Sequence, residues 1–115
     1  MNILLTGAHG FTGFHFSKAA EAAGHQITPL QANLMDPIAL ITEISMVRPD
    51  AVVHLAGISF VGHQDNRAFY DVNLFGTLNL IDALKRETDS LRCVLLASSA
   101  NVYGNSTASP LTEAV

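Results

Sequence analysis

Short apolar runs alternate along the chain with longer stretches in which apolar residues recur every three or four positions. Residues 2–6 are a brief apolar strand that breaks into a glycine-rich loop. Over 11–23, Phe16, Ala19, Ala20 and Ala23 fall at i, i+3, i+4 and i+7, with Lys18 and Glu21 elsewhere. That spacing predicts a helix with this apolar face, closed by Gly24 as its C-cap. Residues 26–30 read as a second strand. Asp36-Pro37 predicts a helix start, a capping carboxylate with proline in the first turn. Apolar positions follow at 40, 41, 44 and 47, and Pro49 should end that helix near Val47. Residues 51–55 predict a third strand, 66–85 a long helix and 91–97 a fourth strand.

Strands that alternate with helices and are apolar throughout point to an α/β fold, a parallel sheet covered on both faces. No internal repeat or low-complexity linker divides the sequence, so residues 1–115 read as one domain. The stretch 104–110 is a polar loop with no closing element after it, so the domain is expected to be an incomplete one.

Composition narrows the functional classes. With 49% hydrophobic and only 14% charged residues the chain is unusually apolar, which predicts surface hidden by a partner or by further fold. No apolar run is long enough to span a membrane, and the N-terminus lacks the pattern of a secretory signal. A net charge of -4 argues against a nucleic-acid partner. The single cysteine, Cys93, cannot form an internal disulfide; in its apolar run it reads as a small buried residue, and the cytoplasm is the expected compartment. The five histidines (9, 15, 25, 54 and 63) match no zinc spacing, so no metal is expected, and His54 reads as a hydrogen-bonded residue at a strand end.

Gly7, Gly10 and Gly13 lie between the first strand and the first helix. At such a junction the helix N–H groups and dipole suit a diphosphate. Gly7 would make the tight turn, Gly10 would admit the phosphates, and Gly13 would let the helix pack closely.

The stretch Thr6-Gly7-Ala8-His9-Gly10-Phe11-Thr12-Gly13 resembles the cofactor loop of the extended short-chain dehydrogenases/reductases, the NAD-dependent epimerase/dehydratase family. Four further motifs match in order: Asn33-Leu34-Met35-Asp36, His54-Leu55-Ala56-Gly57, Val72-Asn73-Leu74-Phe75-Gly76-Thr77 and Ser98-Ser99-Ala100-Asn101-Val102-Tyr103-Gly104. The resemblance implies the N-terminal portion of a Rossmann-type, doubly wound parallel sheet. It also implies a nucleotide-sugar substrate, and the stretches 49–63 and 73–80 look most like GDP-4-keto-6-deoxymannose reductases and GDP-mannose 4,6-dehydratases.

By the same resemblance, Gly7, Gly10, Phe11, Thr12 and Gly13 hold the diphosphate, and Asn33 and Leu34 flank the adenine. Leu55, Ala56 and Gly57 line the path toward the nicotinamide, and Ser99 bonds the reacting sugar oxygen. Ser59, Val61 and His63 lie in the loop over the sugar. The family's Tyr-x-x-x-Lys pair is missing, because Leu74 follows Tyr70 by four residues and Thr107 follows Tyr103 by four. The chain is therefore expected to be inactive alone and to belong to a longer enzyme. Where dehydratases of the family carry acids after the catalytic hydroxyl, this chain has Ala100 and Asn101, which disfavours dehydration and leaves 4-keto reduction or 4-epimerisation. A non-catalytic NAD(P)-binding module is the alternative from another class.

No carboxylate stands at Leu30-Gln31, where NAD selection ordinarily places one, and no arginine stands there either. The cofactor is thus NADP or NAD, with a tilt toward NADP. The helix over 66–85 carries Val72, Phe75 and Ala83 on one face and Leu74, Leu78, Ile81 and Leu84 on another. That pattern predicts a homodimer through this helix.

Overall fold

The computed structural model describes residues 1–56, 71–87 and 91–97. Strand β1 (Asn2–Thr6) leads into helix α1 (Phe11–Ala22), followed by β2 (Gln26–Pro29), α2 (Pro37–Val47) and β3 (Ala51–His54). A π-helical turn at Asp71–Phe75 runs into α3 (Gly76–Glu87), and β4 (Cys93–Leu96) completes the described elements. The strands order as β2-β1-β3-β4 and all pair in parallel. From β1 the chain winds outward to β2, then crosses back over β1 to β3. The strand order therefore reverses beside β1, and the crevice at the carboxyl ends of β1 and β3 is the ligand position such sheets offer.

Strand periodicity divides the core in two. Leu4 and Val52 point to the face covered by α2 and α3, where they meet Leu40, Ile44, Leu80, Ala83 and Leu84. Ile3, Leu5, Ala51 and Val53 point to the opposite face and meet Ala20 and Phe16 of α1. Both faces of these strands are apolar because both are covered, as their unbroken apolar sequences predict.

The local signals act where the sequence places them. Asp36 caps α2 by accepting from the Ala39 N–H at 3.2 Å, with Pro37 in the first turn. At the end of α1 the cap residue is Ala23, and Gly24 stands just beyond it at φ +92°. The Gly24 N–H donates to the Glu21 carbonyl and the His25 N–H to the Ala20 carbonyl, each at 3.0 Å, a Schellman closure.

Three expectations need correction. The inward stripe of α1 runs through Gly13, Phe16 and Ala20, while Ala19 and Ala23 are exposed, because Gly13 is drawn against the loop after β1. Cys93 is exposed: β4 is the outermost strand of the described sheet, bonded only to β3, and all four of its residues lie open. In α3, Ala83 and Leu84 point inward together with Leu80, whereas Leu74 and Phe75 of the π turn and Leu78 of α3 are about half exposed. The π turn holds one residue more than an α turn, which displaces its own residues Leu74 and Phe75 by up to ~100° from the positions continuous α-helical spacing assigns them. Residues 66–70, expected from sequence to begin this helix, lie outside the described residues.

Candidate cofactor cleft

Three glycines shape the mouth of the crevice, and they do so for different reasons. Gly7 turns at φ +77°, and a Cβ there would stand 2.8 Å from both the Ala56 nitrogen and the Leu55 carbonyl carbon. Gly13 lies against the Gly7 carbonyl and within 2.9 Å, measured from an added Cβ, of the Ala8 Cα. Backbone occupies both places, so neither glycine can take a side chain without moving the main chain. Gly10 is unlike them. Among the described residues a Cβ there would meet only the Gly7 oxygen at 3.5 Å, an ordinary contact. Its φ of -78° suits any residue.

Gly10 is also the N-cap of α1, and no side chain among the described residues caps this helix. The Gly10 N–H donates to the Gly7 carbonyl at 3.1 Å and the Phe14 N–H to the Gly10 carbonyl at 2.9 Å, so the loop is braced by its own backbone. The first-turn N–H groups have no intrahelical partners and carry the positive end of the helix dipole. Phe11 and Thr12 stand exposed beside them, and the Phe11 ring packs edge-on against His15 at 4.6 Å between centroids.

Beneath the loop lies a buried polar chain. Thr6 and His54 are paired residues at the ends of β1 and β3. The Thr6 hydroxyl oxygen accepts from the Leu55 N–H at 3.1 Å and the Ala56 N–H at 3.0 Å. Its own proton is then directed to His54 Nδ1, 2.6 Å away. The imidazole proton resides on Nε2 and is donated to Thr77 Oγ1 at 2.9 Å, and Thr77 donates to the Asn73 carbonyl at 3.1 Å. Every donor in this series finds an acceptor with His54 neutral. Burial lowers the His54 pKa below its ordinary value, in keeping with that state. His54 is thus a structural residue, as expected, and the positioning roles of Thr6 and Thr77 were not apparent from sequence.

On the far side of Gly7 a cavity of about 220 Å³ opens between the ends of β1, β2 and β3. Thr6, Gly7 and Ala56 form one wall, and Leu30, Ala32, Asn33, Leu34 and Met35 form the other. Asn33 folds the second wall as an Asx turn: its Oδ1 accepts from the Met35 N–H at 2.9 Å, and its carbonyl accepts from the Asp36 N–H at 2.9 Å. One lone pair of the Asn33 side-chain oxygen is thus engaged with its own loop, and its second remains as an acceptor position at the cavity wall. Asn79 of α3 donates from Nδ2 to the Leu34 carbonyl at 2.9 Å. Glu43 of α2 reaches back to the end of β2, where its carboxylate accepts from the Gln31 and Ala32 N–H groups, each at 2.8 Å. Neither anchor has a local sequence signal, since each is a polar residue on an otherwise ordinary helix.

Gly7, Gly10, Phe11, Thr12, Gly13, Leu55 and Ala56 thus gather at one crevice, with Asn33 and Leu34 across the cavity. Gly57, Ser59, Val61, His63 and Ser99 lie outside the described residues. Among the described residues no group of three His, Cys, Asp or Glu could hold a metal, and no helix is long and apolar enough to cross a membrane.

The profile of the NAD dependent epimerase/dehydratase family matches residues 3–115. The chain belongs to this family. Among the family's characterised proteins, GDP-6-deoxy-D-mannose reductase of Pseudomonas aeruginosa is 38% identical over 109 residues, 89% of this chain and 35% of the relative. In structure, RMD from Pseudomonas aeruginosa, solved in complex with NADPH, superposes with a TM-score of 0.80 at 34% identity, over 97% of this chain and 40% of that one. UDP-glucose 4-epimerase from Brucella ovis, in complex with NAD, gives a TM-score of 0.87 at 25% identity, over 98% and 40%. The family sheet is Rossmann-type, and the chain spans well under half the length of these epimerase/dehydratase relatives.

Proposed function

We propose that this chain holds a nicotinamide dinucleotide across the carboxyl ends of β1 and β3, as the cofactor-binding portion, residues 1–115, of an enzyme acting on a nucleotide-sugar. The observation that carries this reading is Gly10. Packing among the described residues gives no reason for glycine there, and an approaching diphosphate does. The residues present fit such a group. The N–H groups of Phe11, Thr12 and Gly13 would bind the diphosphate, the cavity between Ala32, Leu34 and Ala56 would receive the adenosine, and Leu55, Ala56 and Gly57 would lead toward the nicotinamide. The dinucleotide supplies hydride transfer when bound. Within the chain, Thr6 and His54 fix the two strand ends against each other and so brace the walls of the crevice.

The reaction we favour is reduction of a 4-keto sugar, with Ser99 bonded to the reacting oxygen and Ser59, Val61 and His63 near the sugar. Support comes from Ala100 and Asn101, which cannot serve as the acid and base of a dehydration, and from the 38% identity to a GDP-sugar reductase. A 4-epimerase is the second reading, favoured by the close likeness in fold to UDP-glucose 4-epimerase. The proposal includes a homodimer through the helix at 66–85, whose residues Leu74, Phe75 and Leu78 offer an apolar outer face, and a cytoplasmic location.

Titration with NADH and NADPH, followed by nicotinamide fluorescence, tests the site. The chain has no tryptophan to interfere with that signal. Saturable binding that Gly10→Val abolishes supports the reading, and absence of binding to a folded chain refutes it.

A further inference from the structure

We propose that Glu43 selects NAD(H) against NADP(H), as a specificity-determining residue contributed by α2 in place of the acid missing from the end of β2. The inference rests on the dinucleotide reading above. In sheets of this kind the adenosine ribose lies at the end of the second strand, where a carboxylate that bonds the 2′-hydroxyl also repels a 2′-phosphate. Locally the sequence offers only Leu30 and Gln31 there, and on that ground it tilts toward NADP. The fold supplies what the local sequence lacks. Glu43 stands twelve residues beyond Gln31, yet its Oε2 lies 2.8 Å from the Gln31 nitrogen and its Oε1 lies 2.8 Å from the Ala32 nitrogen.

Two consequences follow for a 2′-phosphate. The first is electrostatic: a carboxylate sits at the strand end, and among the described residues its partners are those two amides and no cation. Like charges brought together without a counter-ion repel, and only intervening solvent weakens the effect. The second is a matter of donors. Two successive backbone N–H groups at a turn are natural receivers of a phosphate oxygen, and here both are already committed to Glu43. A ribose bearing a neutral 2′-hydroxyl meets neither obstacle. Ala32, whose amide is one of the two, also lines the cavity assigned to the adenosine, so the carboxylate is one residue from the ligand wall.

The test is a paired titration of the chain with NADH and NADPH at about 20 mM and about 500 mM NaCl, repeated on Glu43→Gln. We expect NADH to bind at least about tenfold tighter at low salt, and the ratio to shrink at high salt as the repulsion is screened. In Glu43→Gln, NADPH should tighten by about tenfold while NADH shifts by less than about threefold. The salt comparison needs only the unaltered chain, so the proposal stays exposed to failure even if the variant folds poorly. NADPH binding as tightly as NADH, or a preference for NADH that grows with salt, overturns it. So does a variant that weakens both ligands alike, which would make Glu43 a brace for the loop and nothing more. Saturable binding of both without preference sinks this inference alone, whereas no binding of either sinks the dinucleotide reading with it.

Discussion

Gly13 faces the carbonyl of Gly7 so closely that a Cβ on it would collide with that oxygen, and the first turn of α1 and the loop after β1 share space no side chain could enter. The group in the way is backbone, which can move only by shifting the helix or the strand. Gly13→Ala is therefore expected to cost several kcal/mol, in the class of severe overpacking, and urea denaturation should show a chain that is unfolded or much weakened. Gly10→Ala separates stability from binding. It should cost less than about 1 kcal/mol, the scale of an N-cap change, yet weaken dinucleotide binding by tenfold or more. Equal losses of stability in the two variants would contradict the division of roles among the glycines.

Thr6 accepts two part-buried amides and donates to an imidazole in a fully buried contact. Thr6→Val keeps the shape and removes the hydroxyl, leaving the Ala56 N–H and His54 Nδ1 without that partner, while the Leu55 N–H keeps its bond to the Thr6 carbonyl at 3.2 Å. A loss of about 2–4 kcal/mol is expected from unsatisfied buried polar groups, measured by the urea midpoint. Thr6→Ser should recover most of it.

His54 gives the protein a pH dependence with a definite sign. Its pKa in the folded chain is lowered by burial from the usual 6.5, so the unfolded chain takes up the proton first. Stability from neutral His54 is full above about pH 6.5 and declines as pH falls below that value toward the lower folded pKa. One such group contributes a slope of at most about 1.4 kcal/mol per pH unit. Urea midpoints between pH 5 and 8 should fall on the acid side, and His54→Asn, which cannot titrate, should flatten the curve. A wild-type chain whose stability rises on acidification would contradict the sign.

Phe75 and Leu78 stand 47% and 48% exposed on the helix proposed as a dimer interface. Phe75→Glu should shift sedimentation toward the monomer while leaving thermal stability of the protomer nearly unchanged, because Leu80, Ala83 and Leu84 hold the core side of α3. A chain whose mass is monomeric and independent of concentration before the substitution would remove the basis for the interface.

What could be read in the sequence was what neighbours in the chain decide. The strand positions follow from apolar runs, the start of α2 from Asp36 and Pro37, and the end of α1 from Gly24, each a contact of short range. The glycine loop was legible for the same reason. What escaped is long-range. Glu43 meets Gln31 only because α2 folds back over the end of β2, and Asn79 meets Leu34 only because α3 packs beside it. The π turn at Asp71–Phe75 redirects a helix face that α-helical spacing assigns otherwise. Cys93 sits in a run as apolar as β3, and only its place at the outside of the described sheet leaves it exposed.

The polar series from Thr6 through His54 to Thr77 has a direction, set at one end by two amides that can only donate and at the other by a carbonyl that can only accept. Reversing any single bond would strand a proton or leave two donors facing one another. Positions 6, 54 and 77 are therefore not free to drift one at a time. In descendants of this chain a change that removes the donor or acceptor at one of them should survive best alongside compensating changes at the others, so that three sites far apart in the gene are coupled in evolution.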